Sequence, residues 1–339
     1  MRASASFCVI DRPFVVWSDD IERDNKRFLE GIDSFFYRRA VHALIGVDGD
    51  ADNEREIDED QDRKDISSLS RMLWHHGLEM LVMLLGAYVQ APDAVHAYNL
   101  KCRTRDATDI ARALLQRERP KYNRINDVPF TILNLLRGIH CCAGWTDTED
   151  TIKKFERALQ KILSEFADDK QRWEYNNIKH GLRATHGRFA LAVGIEDTPG
   201  VPAPPEKMET VGYSRDASFF SVAKPLKNAT KAASKVNFRV EKVAVTWSLE
   251  KVLCELQILS LLLNNTVSAL RIAAGAPKGS VTFNRPADAE KWWEHYFGLQ
   301  AGNVPSLSMS IDLDARDFKL PKASDVFTSY HQKGTPRQK

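Results

Sequence analysis

The sequence predicts a mainly α fold, a multi-helix bundle with a small antiparallel β-sheet appended between residues 188 and 247. Three observations predict it. Apolar residues recur at three- and four-residue steps through most of residues 19–187 and again through 249–274. At Arg188 the period changes from 3.6 to 2, where RFALAVGI begins. The 339 residues are 43% hydrophobic and 28% charged, ordinary for a chain that buries a real core.

Taken in order, residues 1–18 read as an irregular or strand-like arm. Asp11 and Arg12 interrupt its apolar run, so it does not read as a signal peptide. Ser18 or Asp19 caps a helix over 19–45 carrying Phe28, Ile32, Phe35, Phe36, Ala40 and Leu44. Residues 48–65 hold ten carboxylates against three basic residues and read as an acidic, solvated loop. Asp48, Asp50, Asp52 and Glu59 fall at the first, third, fifth and twelfth places of a calcium loop. Asn53 stands where that loop needs glycine, and Arg55 where it needs an apolar residue, so the spacing is a decoy.

Residues 67–90 form a helix that is apolar nearly all round beyond Glu79, hence central. Arg71, His75 and Glu79 lie along one side of it at four-residue steps, either as a self-satisfied ladder or as a wall facing the cations of 170–187. In the second case Glu79 orients a histidine. Short helices follow at 93–102 and 106–117, then a basic loop at 117–127, an apolar helix at 128–141 and an amphipathic one at 148–168. Strands are expected at 210–223 and 236–247. A phase slip between Val240 and Val243 suggests a bulge at Glu241-Lys242. Ser248 caps a long apolar helix over 249–274 that returns to the bundle. An aromatic helix at 286–297 carries Trp292, Trp293, Tyr296 and Phe297 and docks on the body or on another subunit. The expected organisation is therefore a bundle over 1–187, a β insertion over 188–247, a returning helix over 248–275, an extension over 276–319 and a flexible tail over 320–339.

Several function classes are excluded. There is no P-loop, no GxGxxG after a strand, no HExxH and no GxSxG. Five cysteines without a CxxC give no disulfide framework, and the sequence predicts neither metal nor cofactor. A net charge of +2 announces no nucleic-acid partner by itself, so such binding requires a local patch. No apolar run reaches the roughly 18 residues that span a bilayer, and a cytoplasmic protein is expected.

The most chemically loaded run is KQRWEYNNIKHGLRATHGRF, residues 170–189. Wound as a helix over 170–187, it places Tyr175, Ile178, Leu182 and Phe189 on one apolar stripe. Arg172, Asn176, Lys179, His180 and Arg183 share a neighbouring arc with no carboxylate. Such an arc suits phosphate, since arginine offers forked donors, lysine a point charge and histidine a group that gives or takes a proton. It equally suits a solvated face that neutralises acids on other helices. Asn177 adds a second amide.

Arg71-Met-Leu-Trp-His75-His76 resembles the motif of the HEPN superfamily, an arginine followed after four to six residues by a histidine. The run Tyr175-Asn-Asn-Ile-Lys-His180-Gly is similar to the Lys-His-Gly endings of some HEPN-like proteins, although Arg172 stands too far from His180 to complete the motif. The resemblance covers at most residues 20–187 and 249–274. It implies a helical, homodimeric bacterial protein of toxin or antiphage systems that binds RNA or a nucleotide and cleaves RNA without metal. His180 or His76 would move the proton, and Arg172 or Arg71 would stabilise the developing phosphorane charge. Asn176, Asn177, Lys179, Arg183, His75 and Glu79 would complete the binding set. The competing reading is a non-catalytic scaffold for a protein partner, in which the same residues close a buried network.

Overall fold

The computed structural model describes residues 3–46, 59–120, 129–180, 183–201, 203–226, 238–286, 289–299 and 307–309. The fold is mainly helical with antiparallel sheets, as the periodicity predicts. Two helices form its axis, α3 (Glu59–Gln90) and α9 (Leu249–Ala273), packed against each other and flanked by the rest. Both are apolar because both are central. By length and composition α9 and Arg63–Gln90 of α3 could each cross a membrane, and 89% of the α9 window is buried inside the protein.

The arm at 1–18 is a hairpin, β1 (Ala3–Val9) paired antiparallel with β2 (Arg12–Ser18). Its turn holds Ile10 at φ 57, a costly region for a β-branched residue. Gln90, at the end of α3, clamps it by accepting from the Ile10 N–H at 3.0 Å and donating to the Ile10 carbonyl at 2.9 Å. The single helix expected at 19–45 is two, α1 (Ile21–Gly31) and α2 (Phe36–Gly46). Ile32 is extended at ψ 113 and breaks the helix there. Asp20, rather than Ser18 or Asp19, caps α1 by accepting from the Arg23 N–H at 2.9 Å. Helix α3 begins at Glu59, so the end of the acidic stretch is helical, whereas the calcium-like spacing falls mostly on 47–58, outside the described residues.

Helices α4 (Val95–Lys101) and α5 (Thr104–Gln116) pack on α3 so closely that a Cβ at Gly86 would meet Tyr98 Oη at 2.5 Å. Next come α6 (Ile132–Ile139), capped by Thr131, and α7 (Thr148–Phe166). Helix α8 (Asp169–Lys179) then ends a full two turns earlier than the sequence suggests. Strand β3 (Thr185–Gly194) takes His186, Gly187, Arg188 and Phe189, so Phe189 belongs to a strand and not to an α8 stripe.

The main sheet runs β3-β4-β5-β6, all antiparallel, with β4 (Met208–Pro225), β5 (Phe238–Trp247) and a short fourth strand, β6 (Leu307–Met309), from the expected C-terminal extension. The bulge expected at Glu241-Lys242 is absent, since β5 keeps unbroken register with β4. Glu241, Val243, Val245 and Trp247 all point inward, while Phe238 and Val240 are more than half exposed. The inward Glu241 is tolerated because Lys224 Nζ reaches it at 2.9 Å. Register shifts occur instead in β3, at Gly187/Phe189 and Leu191/Ala192. Phe220, Val243, Val245 and Trp247 join the same apolar core as α3, α7 and α9.

Helix α10 (Ala289–Gly298) buries Trp293 and Tyr296 on its own body, where Trp293 meets Phe155 edge-on and Tyr296 donates to Glu255 at 3.1 Å. Its aromatic cluster is thereby removed as an argument for a dimer.

Candidate functional site

Arg71 and His75 project from α3 toward α8, as the wall reading predicts, but the residue they meet is Glu174. Arg71 grips that carboxylate with two donors, Nε at 3.0 Å and Nη2 at 2.8 Å, and His75 Nε2 lies 3.2 Å away. Ser218 of β4 also donates to Glu174 and in turn accepts from Trp247 Nε1 at 3.0 Å, while Gln171 accepts from Arg71. The guanidinium lies over the Trp74 ring, 4.4 Å from its centroid. Arg71, His75 and Glu174 are each at most 1% exposed. Burial alone would push the Glu174 carboxyl up, but Arg71 and the His75 hydrogen bond hold it well below the usual range. Burial pushes His75 down against the pull of Glu174, so its ring is neutral and Arg71 balances Glu174.

The roles expected of Arg71 and His75 at a substrate are therefore corrected: no substrate reaches them. Glu79 does not orient a histidine either. It accepts from Tyr175 Oη at 2.7 Å, and the Tyr175 ring stacks on His75 with centroids 5.0 Å apart. His76 is exposed and faces away from Arg71, five residues being about 140° around a helix. Its Nδ1 lies 2.6 Å from Tyr37 Oη.

The cationic arc of the loaded run also divides. Arg172 is held by Asp169 at 3.0 Å, a carboxylate that Arg112 shares. Lys179 turns to α5, donating to Thr104 Oγ1 at 2.9 Å with its ammonium 4.5 Å from the Tyr175 ring centroid. The other three residues of the arc come together with Asn177. Asn176, Asn177, His180 and Arg183 line a cleft of about 620 Å³ whose opposite wall is Ser221–Pro225 of β4. The backbone places them: the His180 N–H closes α8 on the Asn176 carbonyl at 3.1 Å, and the Arg183 N–H returns to the Asn177 carbonyl at 2.8 Å.

Trp173 and Lys224 complete this end, the ammonium 4.5 Å from the indole centroid. A second lobe of about 520 Å³ shares Asn177, Arg183 and Ser221 and runs on to Phe189, Phe219, Phe220, Lys242, Leu307 and Met309. The described lining of both lobes contains three cations and no carboxylate. Sequence reasoning missed Trp173, Lys224, Lys242 and Phe219, and placed Phe189 on a helix stripe rather than in a site. Trp173 stood in plain view within the loaded run, whereas the strand residues carry no signal short of knowing the sheet.

No family model, curated protein or solved structure matches this chain. Local chemistry alone therefore bears on what it does.

Two other clusters of buried ionisable groups lie in the core. His140 is fully engaged: its Nδ1–H donates to the Leu136 carbonyl at 2.8 Å, and Nε2 accepts from Asn265 at 3.0 Å. Burial pushes it down to about 4. Among the described residues no set of three or more histidine, cysteine or acidic side chains is placed to hold a metal. In the other cluster Lys251 serves both Glu165 and Glu255. Two carboxylates share one ammonium, so burial and the Glu165 charge push Glu255 from 4.5 up to about 7.

A raised folded-state value means stability that is full below the unfolded value and is lost as pH rises through about 7. Relative to the wild type, Glu255→Gln is accordingly expected to gain stability as pH rises from 5 to 8. Paired urea titrations at each pH check this, and a difference that does not change with pH would contradict it.

Proposed function

We propose that this protein binds a nucleotide or single-stranded RNA in the cleft between α8 and β4, and that it does so as a binding module. The observation that carries the reading is the joining of two unlike lobes. One has cations and amides without a carboxylate, and the other is walled by aromatic rings. A phosphate suits Arg183, which offers forked donors, beside the Lys224 ammonium that already pairs with Glu241. A base suits the Phe189 and Phe219 rings, whose centroids lie 6.2 Å apart, because stacking on aromatic side chains is the common means of holding unpaired bases. Asn176 and Asn177 supply amides for base edges.

An RNA ligand is also what the HEPN resemblance implies, although Arg71 and His75 of its motif are buried. Cleavage is not part of the proposal. Of the proposed catalytic residues only His180 lies in the cleft, and the arginine beside it is Arg183 rather than Arg71 or Arg172. The buried Arg71–Glu174–His75 network favours a structural role for that trio, in keeping with the scaffold alternative.

The test is fluorescence anisotropy with a labelled single-stranded RNA and with a labelled nucleotide, on wild type, Arg183→Ala and Phe219→Ala. At least a tenfold weakening is expected for each variant, with unchanged circular dichroism. Stacking is worth about 1–3 kcal/mol per base by alanine substitution. Affinity should fall with added salt, by a log–log slope of about −0.7 per phosphate contacted. Absence of binding, or binding indifferent to both substitutions, would remove the cleft from consideration.

A further inference from the structure

Cys141 and Cys142 stand in a turn just beyond α6 and share no residue with the cleft. Cys141 is exposed and Cys142 partly so, and their sulfurs lie 3.5 Å apart. Adjacency does not give this by itself, because successive side chains diverge by about 100° on a helix and to opposite faces on a strand. The turn brings the thiols together, and buried His140 fixes the turn. Its N–H and its Nδ1–H both donate to the Leu136 carbonyl, at 2.9 and 2.8 Å. Its Nε2 accepts from Asn265 at 3.0 Å, and its carbonyl accepts from the Ala143 N–H at 3.0 Å.

A disulfide between the two is disfavoured. Neighbouring Cα atoms stand about 3.8 Å apart, closer than the roughly 4.4 Å at which ordinary disulfides begin. One shared centre suits the pair better. Two sulfurs joined to one atom by bonds of about 2.3 Å, the length of a zinc–sulfur bond, stand roughly 3.3–3.8 Å apart at angles from square to tetrahedral. Zinc itself takes four ligands, and no third histidine, cysteine or acidic side chain joins the pair among the described residues. His140 spends both ring nitrogens elsewhere. Burial and the neighbouring thiol raise Cys141 above its ordinary range against the pull of Lys278, so it keeps the proton that a metal cation would have to displace. The centre that fits needs only two sulfurs and takes them from neutral thiols.

Beside the pair lies a cavity of about 340 Å³ whose described lining includes Tyr88, Phe130, Leu135 and Gly138. The Cys141 N–H reaches the Gly138 carbonyl at 3.5 Å. Burial first, and then the charges of Cys141 and Cys142, push the Tyr88 phenol up to about 12, so that phenol is near both thiols. The polar lining is spent elsewhere. Thr131 accepts from the Asn134 N–H, Asn134 serves the Pro129 carbonyl and Arg137, and Arg137 is paired with Glu149. What remains suits an uncharged apolar group. We infer that Cys141 and Cys142 chelate a trivalent arsenical carrying one aryl or alkyl group, with that group seated in the cavity beside Tyr88. In the reaction R–As=O + 2 Cys–SH → R–As(S–Cys)2 + H2O, two arsenic–sulfur bonds form and two S–H bonds break. The oxygen leaves as water with both protons. Arsenic stays trivalent, its third bond is to carbon, and no oxidant is consumed.

The experiment titrates the full-length protein, reduced and then freed of reductant, with phenylarsine oxide and separately with methylarsine oxide. Intact mass and the loss of free thiols are followed together. One adduct per chain that consumes two thiols is expected, and ethanedithiol should reverse it. Cys141→Ser and Cys142→Ser, each with unchanged circular dichroism, should weaken binding at least tenfold, whereas Cys8→Ser should leave it unchanged. The phenyl compound should bind at least tenfold more tightly than the methyl one, since only its ring fills apolar space in the cavity. No adduct, an adduct of undiminished affinity in either Cys141→Ser or Cys142→Ser, or equal affinity for the two arsenicals would overturn the inference. Displacement of the phenylarsenical by an equal concentration of zinc would also overturn it and would assign a metal site instead.

Discussion

Glu174→Ala is expected to lower the free energy of unfolding by about 3–5 kcal/mol, the usual cost of leaving one partner of a buried ion pair alone. The Arg71 side chain is 1% exposed and donates two of its hydrogen bonds to this carboxylate. Without it the positive charge has no water and no counter-ion. Ser218 and His75 lose an acceptor at the same time. The loss is a large fraction of the roughly 5–15 kcal/mol that ordinary domains possess. The double variant Arg71→Met with Glu174→Leu should cost less than the single one, because removing both charges removes their desolvation penalty. Urea denaturation measures both. A loss under about 1 kcal/mol for Glu174→Ala would mean that water reaches the pair, and the site residues rejected as buried would return as candidates. The pH dependence has a definite sign. The Glu174 carboxyl is held below its ordinary value, so its contribution is full above the unfolded carboxylate range and is lost as pH falls through and below that range.

Trp74→Ala should be of similar size, about 3–5 kcal/mol, as for other large aromatic side chains removed from a core. Trp74 is 0% exposed and stands between two charged groups. Its face receives the Arg71 guanidinium at 4.4 Å from the centroid, and its indole N–H donates to Glu255 at 2.6 Å. Trp74→Phe keeps a ring for the cation but deprives Glu255 of a donor, and should cost about 1–3 kcal/mol. Comparison of the two by thermal or chemical unfolding separates packing from the hydrogen bond. Equal losses would assign the whole effect to the hydrogen bond and none to the ring.

Much of the fold was legible in the sequence because apolar periodicity reports which face of an element is buried. The α3, α7 and α9 stripes, the change of period near Arg188 and the docking helix with Trp293 and Tyr296 all follow from it. The errors have local physical causes. Helix α8 is two turns shorter than the spacing suggests because Arg183 and Phe189 continue a helical spacing by coincidence. The residues between Thr185 and Phe189 pair instead with β4, and strand pairing is a long-range event that no window of sequence contains. The bulge expected at Glu241-Lys242 came from reading Phe238 and Val240 as inward along with Val243, whereas both are more than half exposed and the inward residue between them and Val243 is Glu241. Lys224 on the neighbouring strand makes it an inward one.

By itself the sequence determined the class of fold, the identity of its central helices and the run of residues in which to seek chemistry, since these depend on composition and on spacing along one element. Only the tertiary structure decided what that chemistry is. Position on a helix gives an angle but not the residue that waits opposite. Glu174 therefore turned Arg71 and His75 from candidate catalysts into buried structure, while β4 turned Asn176, Asn177, His180 and Arg183 into one wall of a cleft. An ionisable side chain acts according to its burial and its partner, and both are supplied by segments distant in the chain.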